Sequence, residues 1–209
     1  MTVVKNNNTG SRPRGRPRAF DRDEALAKAA ETFWRLGYEG ASIADLTAAM
    51  GITPQSLYAA FASKADLYRK ALEWYQAHIG ASTAAALEED DVVMALTRVL
   101  RESAREFTKR GRPHGCMVST AVLTCATENE PIARHVAGLR DATLKAIRAR
   151  IERGVAEKQL QPDTDAGSLA RFIGAMIQGM SVQAQDGASV KALSGLAEHA
   201  IAEIERHRV

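Results

Sequence analysis

Residues 42–61 read SIADLTAAMGITPQSLYAAF, and this stretch holds two short helical patterns separated by Gly51. The first pattern places three apolar residues on one helical face: Ile43, Leu46 and Met50. Ser42 and Asp45 have the spacing of a capping box, in which two side chains satisfy the free N–H groups at a helix start. The pattern therefore predicts a helix that begins after Ser42 and ends at Gly51.

A second helix is predicted to begin at Thr53-Pro54. The threonine hydroxyl can cap it, and proline suits the first helical position because that position needs no N–H donor. Two helices joined by a tight turn form a helix-turn-helix, whose second helix can enter the major groove of DNA. Leu57 falls on the buried face, whereas Gln55 and Ser56 lie near the helix N-terminus, where they can reach base edges and phosphates.

The distribution of charge supports an anionic partner for one end of the chain. The 209 residues carry a net charge of +3, and residues 1–80 account for all of it. Residues 1–19 are rich in Asn, Gly, Pro and Arg and are predicted to form a flexible basic arm. Arg16 and Arg18 would then meet phosphates or a minor groove, although the arm could also be a mere solubility tail.

Composition excludes several other classes of protein. No run approaches the length of a membrane span, and the N-terminus lacks the apolar segment of a secretory signal. Cys116 and Cys125 are too few for a disulfide framework, so a cytoplasmic protein with buried, unpaired thiols is expected. No metal-ligand spacing, phosphate loop or catalytic constellation is present, so neither a metal site, a cofactor nor an enzyme is predicted.

From Asp21 onward the sequence predicts an all-α fold, since no segment shows the alternation of a strand. The first helix is expected to begin at Asp21 and to stop at Gly37, and a fourth follows Ser63 over residues 64–80. Later helices are predicted at 91–110, 117–127, 131–158, 164–185 and 189–206.

The first third of the chain resembles the DNA-binding domain of the tetracycline-repressor (TetR) family of bacterial regulators. The resemblance covers about 55 residues, from Phe20 to about Tyr75. It rests on these elements: Phe33…Gly37-Tyr38, Ser42-Ile43-Ala44-Asp45-Leu46, Gly51-Ile52, Ser56-Leu57-Tyr58-Ala59-Ala60-Phe61 and Ser63-Lys64-Ala65-Asp66-Leu67. It implies a helix-turn-helix domain over 20–65 and a larger helical domain for ligand binding and dimerisation over 66–209. It also implies contacts with operator DNA from Ser42, Thr53, Pro54, Gln55, Ser56, Tyr58 and Lys64.

What this resemblance implies is a regulator that binds double-stranded, two-fold symmetric operator DNA as a homodimer. It is expected to repress transcription until a small apolar or amphipathic effector binds, with no membrane partner. Methionines with a few hydroxyls and amides suit such a pocket, although each could equally belong to an ordinary core. The candidate pocket residues are Met94, Phe107, Met117, Thr120, Leu123, Thr124, Phe172, Met176, Met180 and Gln183.

The last two predicted helices are expected to form the dimer surface. Small and aliphatic residues recur along them at steps that allow close helix packing, but such stripes could instead be buried within one subunit. The candidate interface residues are Ile173, Gly174, Ile177, Leu193, Leu196, Ala200 and Ile204. Residues 64–80 would couple the two domains, since this helix begins beside DNA and ends in the ligand domain.

Three alternatives stay open on the sequence alone. An all-helical enzyme acting on nucleic acid is disfavoured by the lack of an activated nucleophile or paired carboxylates. An architectural protein would bind DNA without sequence preference, which a comparison with random duplex at fixed salt would reveal. A regulator of this kind could also activate transcription.

Overall fold

The computed structural model describes residues 21–209, so the basic arm, with Arg16 and Arg18, lies outside the described residues. Within this range the fold is all-α, as predicted, and the only β pairing is one bridge between Leu160 and Arg208. The nine helices are α1 Arg22–Gly40, α2 Ile43–Met50, α3 Pro54–Ala60, α4 Lys64–His78, α5 Ala81–Leu87, α6 Val92–Phe107, α7 Glu130–Ala156, α8 Ala166–Gln185 and α9 Val190–Glu205. No helix in the described part is long and apolar enough to cross a bilayer.

Several helices begin at the residues that the sequence marks as caps. The side chains of Asp21, Ser42, Thr53 and Ser63 each accept a hydrogen bond from a backbone N–H in the first turn that follows. Gly37 interrupts α1 with a φ of +74°, a conformation that favours glycine, and a last turn then continues to Gly40. Local side-chain chemistry thus sets most helix starts in the first third.

One predicted helix is absent, and one observed helix was not predicted. Where a helix is predicted over 117–127, residues 117–126 are irregular, and a 3₁₀ turn follows at Thr127–Asn129. Gly115 precedes this stretch with a φ of +77°, and a Cβ at this position would collide with Ser181, which α8 contributes. Close packing of the chain at Gly115 against α8 therefore takes the place of the predicted helix. Residues 108–129, the irregular segment between α6 and α7, are called the connector below; the unpredicted helix is α5.

Two hydrophobic cores divide the described chain. The first lies among α1–α4 and also includes Met117 and Val118 of the connector, together with Ile132 and Val136 of α7. The second lies among α5–α9. Cys116 is half-buried and packs against both cores, so the connector joins the two halves of the molecule.

Candidate DNA-reading surface and effector cavity

The helix-turn-helix begins with a complete capping box. The Asp45 N–H donates to Ser42 Oγ at 3.1 Å, and the Ser42 N–H donates to Asp45 Oδ2 at 2.9 Å. Bonds from the Ser42 hydroxyl and then from its backbone N–H lower the pKa of Asp45. Gly51 ends α2 in the left-handed conformation, with φ 67° and ψ 31°, and this sharp reversal sets the direction of α3.

The start of α3 presents most of the predicted reading residues to solvent. Thr53 Oγ1 accepts a hydrogen bond from the Ser56 N–H at 3.1 Å, and Pro54 follows in the first turn. Thr53, Pro54 and Gln55 are exposed, and Ser56 is half-buried, whereas Leu57 is fully buried. Leu57 therefore fixes the helix on the core while its N-terminal end faces outward, as reading a groove requires.

Tyr58 and Lys64 flank this end in different environments. Tyr58 is 53% exposed. The Lys64 Nζ lies 4.8 Å from the centre of the Tyr38 ring and 3.5 Å from the Glu39 carbonyl oxygen. Burial lowers the pKa of Lys64, and the nearby Glu39 carboxylate opposes that shift. Lys64 is therefore a positioned cation at the start of α4 rather than a freely moving surface lysine.

Aromatic packing holds α1 and α4 beneath the reading helix. The rings of Phe33 and Tyr68 meet edge to face at 4.8 Å, and those of Tyr38 and Tyr68 lie 5.0 Å apart. Phe61, which ends α3, is buried in the same cluster. The sequence pattern did not single out Tyr68 and included Tyr38 only in the family resemblance, because the packing of both rings depends on contacts between separate helices.

A cavity of about 350 Å³ lies in the larger half of the molecule. Its wall comes from α4–α8 and the connector, and much of it is apolar, including Phe107, Leu144 and Ile177. Tyr75 of α4 reaches the same wall, and burial raises the pKa of its phenol. Because α4 begins with Lys64 at the reading surface, one helix contacts both regions, as expected for the coupling element.

Of the ten predicted pocket residues, Phe107 lines this cavity, and the other nine lie elsewhere. Met117 and Thr120 line a second, shallower depression between α1 and the connector. Met180 is buried in the second core, and Met176 packs against that core. The remaining candidates are exposed: Met94, Leu123, Thr124, Phe172 and Gln183. Helical spacing did not reveal the lining because α5 and the irregular connector supply much of it.

The connector links this cavity to the DNA-reading half through polar contacts. The Glu39 carboxylate on α1 accepts hydrogen bonds from the Ala126 N–H at 2.8 Å and from Asn129 Nδ2 at 2.7 Å. These bonds, with the backbone N–H of Ala126 contributing most, lower the pKa of Glu39. The Arg112 guanidinium lies 5.5 Å from the centre of the Trp34 ring and bonds to the Glu106 carboxylate.

The two cysteines lie on this connector, outside any helix. Both are half-buried, and neither is in a disulfide. Cys116 contributes to the cavity wall, and its N–H donates to Ser181 Oγ at 2.8 Å. No group of three or more His, Cys, Asp or Glu residues within 21–209 could hold a metal ion.

Most of the predicted dimer residues are buried within their own subunit, whereas Ile177 and Leu196 are half-buried. Ile173, Leu193, Ala200 and Ile204 are fully buried in the second core, and Leu196 packs against it. Gly174 is buried against Leu144 of α7, so that a Cβ would collide with it, and Ile177 lines the cavity. The row of apolar residues that was predicted to form the dimer surface therefore belongs largely to the second core of one subunit. This is the alternative that the sequence left open.

Comparisons with known proteins agree with this architecture. The family model for bacterial regulatory proteins of the tetR family matches residues 25–71, and the model for the tetracyclin repressor-like C-terminal domain matches residues 93–200. The HTH-type transcriptional repressor ComR of Escherichia coli (strain K12) is 36% identical over 186 residues, which cover 88% of this chain and 89% of ComR. The repressor BdcR of the same organism is 32% identical, with 90% of each chain covered.

A solved structure of a cysteine-substituted variant of the TetR-family regulator CifR, in complex with 26-base-pair operator DNA, is also similar. It shares 41% identity and a TM-score of 0.87, covering 90% of this chain and 98% of CifR. A TetR regulator from Rhodococcus sp. RHA1 shares 36% identity and a TM-score of 0.61, with 88% and 98% covered. Together with the exposed reading helix, these matches show that the chain belongs to the TetR family of DNA-binding transcriptional regulators.

Proposed function

We propose that this regulator is a cytoplasmic repressor that binds a two-fold symmetric operator as a homodimer and is released by a small molecule. The observation that carries the proposal is the N-terminal end of α3, where Thr53, Pro54 and Gln55 face outward while Leu57 fixes the helix on the core. The names of ComR and BdcR as repressors, and the operator complex of CifR, support it. The protein acts by binding, without catalysing a reaction.

Each subunit of such a dimer places one α3 in a major groove. Successive grooves on one side of B-DNA lie about 34–36 Å apart, so the two reading helices must keep that separation or a multiple of it. A ligand that changes the distance between them lowers operator affinity without touching DNA. In this chain the cavity wall includes α4 and the connector, both of which also contact the DNA-reading half.

The dimer surface is reassigned to the outward faces of α8 and α9. On α8 the exposed or half-buried residues Phe172, Ala175, Gly179 and Val182 recur on one helical face, and Phe172 and Val182 are 37% and 45% exposed. The outward face of α9 carries a parallel row of mostly small residues: Ala192, Gly195, His199 and Ala202. Small residues let helices approach closely, so two such pairs can form a four-helix bundle across the two-fold axis.

Footprinting of the purified full chain on the DNA that flanks its own gene tests the function. We expect a protected site with two-fold symmetry and half-sites separated by a helical turn or a multiple of it. Titration on that duplex and on a random duplex at the same salt concentration should show specific binding at least about 1,000-fold tighter. Equal affinity for both duplexes would favour an architectural protein, and transcription in vitro from the protected promoter would distinguish a repressor from an activator.

A further inference from the structure

The carboxylates in the wall of the cavity are already paired with arginines. The Arg98 Nε donates to Glu102 Oε1 at 2.8 Å, and Arg112 bonds to the Glu106 carboxylate. Both glutamates line the cavity. Each negative charge therefore has a positive neighbour, while the second carboxylate oxygen of Glu102 is buried without a hydrogen-bond partner in the described chain and remains available to a hydrogen-bond donor on a ligand.

Arg140 is the exception among the charged residues of this wall. It lies on α7, lines the cavity, and has no carboxylate within salt-bridge distance among residues 21–209. Its Nη1 donates to the carbonyl oxygens of Val118 at 3.2 Å and Ala121 at 2.8 Å. Its Nε and Nη2 make no hydrogen bond within the described chain, and neither is a buried atom.

Burial lowers the pKa of Arg140, and the nearby phenol of Tyr68 opposes that shift. Arginine nevertheless remains charged in proteins. A half-buried positive charge whose nearest acceptors are neutral carbonyls is incompletely compensated, so an anionic group in the cavity would be stabilised by it. The planar guanidinium suits a carboxylate in particular, since it can donate two parallel hydrogen bonds.

We propose that the effector of this protein is a small organic carboxylate with an apolar body, and that Arg140 binds the carboxylate. The proposal rests on the proposed function, in which the cavity is the effector site. Phe107, Leu144 and Ile177 supply apolar wall for the rest of the molecule. The cavity of about 350 Å³ exceeds the roughly 150 Å³ that accommodates benzene, so an aryl-alkyl or medium-chain acid fits.

The position of Arg140 also relates ligand binding to the DNA-reading half. The two carbonyls that it holds belong to the connector, whose Val118 packs in the first core beside α1 and α4. A ligand carboxylate that pairs with the free Nε and Nη2 is joined through the same guanidinium to these two carbonyls. Acid binding therefore acts on the connector where it joins the two cores, and operator affinity falls.

Isothermal titration of the full chain, without DNA, tests the ligand class. The probes are 4-phenylbutyrate and octanoate, each compared with its primary amide, which keeps the size and loses the charge. We expect the acids to bind roughly 10- to 100-fold more tightly than their amides. Arg140→Gln should remove this preference, and Arg140→Lys should retain part of it because the positive charge remains.

The matched control is Arg148→Gln, an exposed arginine on α7 that does not line the cavity and bonds to Glu152 instead. It should bind the probes like the unaltered chain. The proposal is overturned if no acid binds saturably, if acids and amides bind equally, or if Arg140→Gln keeps the preference in a chain whose circular dichroism shows an intact fold.

Operator titration in the presence of the same probes separates the two proposals. Loss of operator affinity with the acids, but not with the amides, supports both. Acid selectivity that depends on Arg140 without any change in operator affinity supports the ligand class and contradicts ligand release. A chain that does not bind operator at all contradicts the proposed function, while the titration without DNA still decides the ligand class.

Discussion

Gln55 is exposed near the start of α3, two residues before the fully buried Leu57. A glutamine side chain can pair with adenine in the major groove, and truncation removes that pairing while the helix keeps its position on the core. Gln55→Ala should therefore weaken binding to the footprinted operator by roughly 1–3 kcal/mol and leave binding to random duplex almost unchanged. Titrations on the two duplexes measure both values, and an equal loss on both would place the reading surface elsewhere.

Lys64 should contribute to DNA affinity through a phosphate rather than through a base, and therefore without sequence preference. Its ammonium is held beside the Tyr38 ring at the start of α4, next to the reading helix. Lys64→Gln should weaken binding to operator and random duplex together, and should flatten the plot of log affinity against log salt by about 0.9. Lys64→Arg keeps the charge and should keep the slope. An unchanged slope for Lys64→Gln would show that Lys64 only stabilises the α1–α4 contact.

At the scale of elements, the sequence predicted the features that depend on neighbouring residues. It failed for the features that depend on contacts between residues far apart in the chain. Ser42 and Asp45 cap α2 as expected, because the partners of a capping box are three residues apart. The connector was wrongly predicted as a helix over 117–127, since its path depends on the contact between Gly115 and Ser181 of α8. The cavity wall was largely missed for the same reason.

The contact between Glu39 and the connector gives a prediction at this scale. Glu39→Ala removes the acceptor of the Ala126 N–H, so hydrogen exchange at that amide should become faster. Glu31→Ala is the matched control, because Glu31 lies on the same helix and bonds to Arg35, one turn away. Mass spectrometry of peptides that cover residues 120–130 provides the measurement. Exchange that is unchanged by Glu39→Ala would mean that Glu39 does not hold the connector.

The same contact should depend on pH. Hydrogen bonds from Ala126 and Asn129 lower the pKa of Glu39 in the folded chain. The ionised carboxylate is therefore favoured by folding, so its contribution is complete above the ordinary glutamate pKa and is lost as pH falls through the lowered value. Exchange at the Ala126 amide, corrected for its intrinsic pH dependence, should rise only under acidic conditions.

At the scale of the whole molecule, apolar periodicity located α8 and α9, but most of the residues that it assigned to a dimer surface are buried within one subunit. Ile173, Leu193 and Ile204 recur at steps that suit a dimer seam, yet all three are fully buried within one subunit. A stripe of apolar residues shows that a helix face is covered, but it does not show whether the covering helix belongs to the same chain. The outward stripe is harder to recognise in the sequence, because Ala175 and Gly179 are small and weakly apolar.

This reassignment predicts opposite outcomes for two kinds of substitution. Phe172→Glu and Val182→Glu place a charge on the exposed face of α8, so they should give folded monomers, since each charge would otherwise be buried unpaired between subunits. Gly174→Arg should instead destabilise the subunit itself by at least about 3 kcal/mol, because a side chain there collides with Leu144 in the core. Light scattering reports the mass, and thermal unfolding reports the stability.

Because the dimer sets the spacing of the two reading helices, the monomeric variants should lose operator affinity and retain only weak binding to random duplex. If both glutamate variants remain full dimers, or if Gly174→Arg yields a stable monomer, the outward faces of α8 and α9 are not the dimer surface.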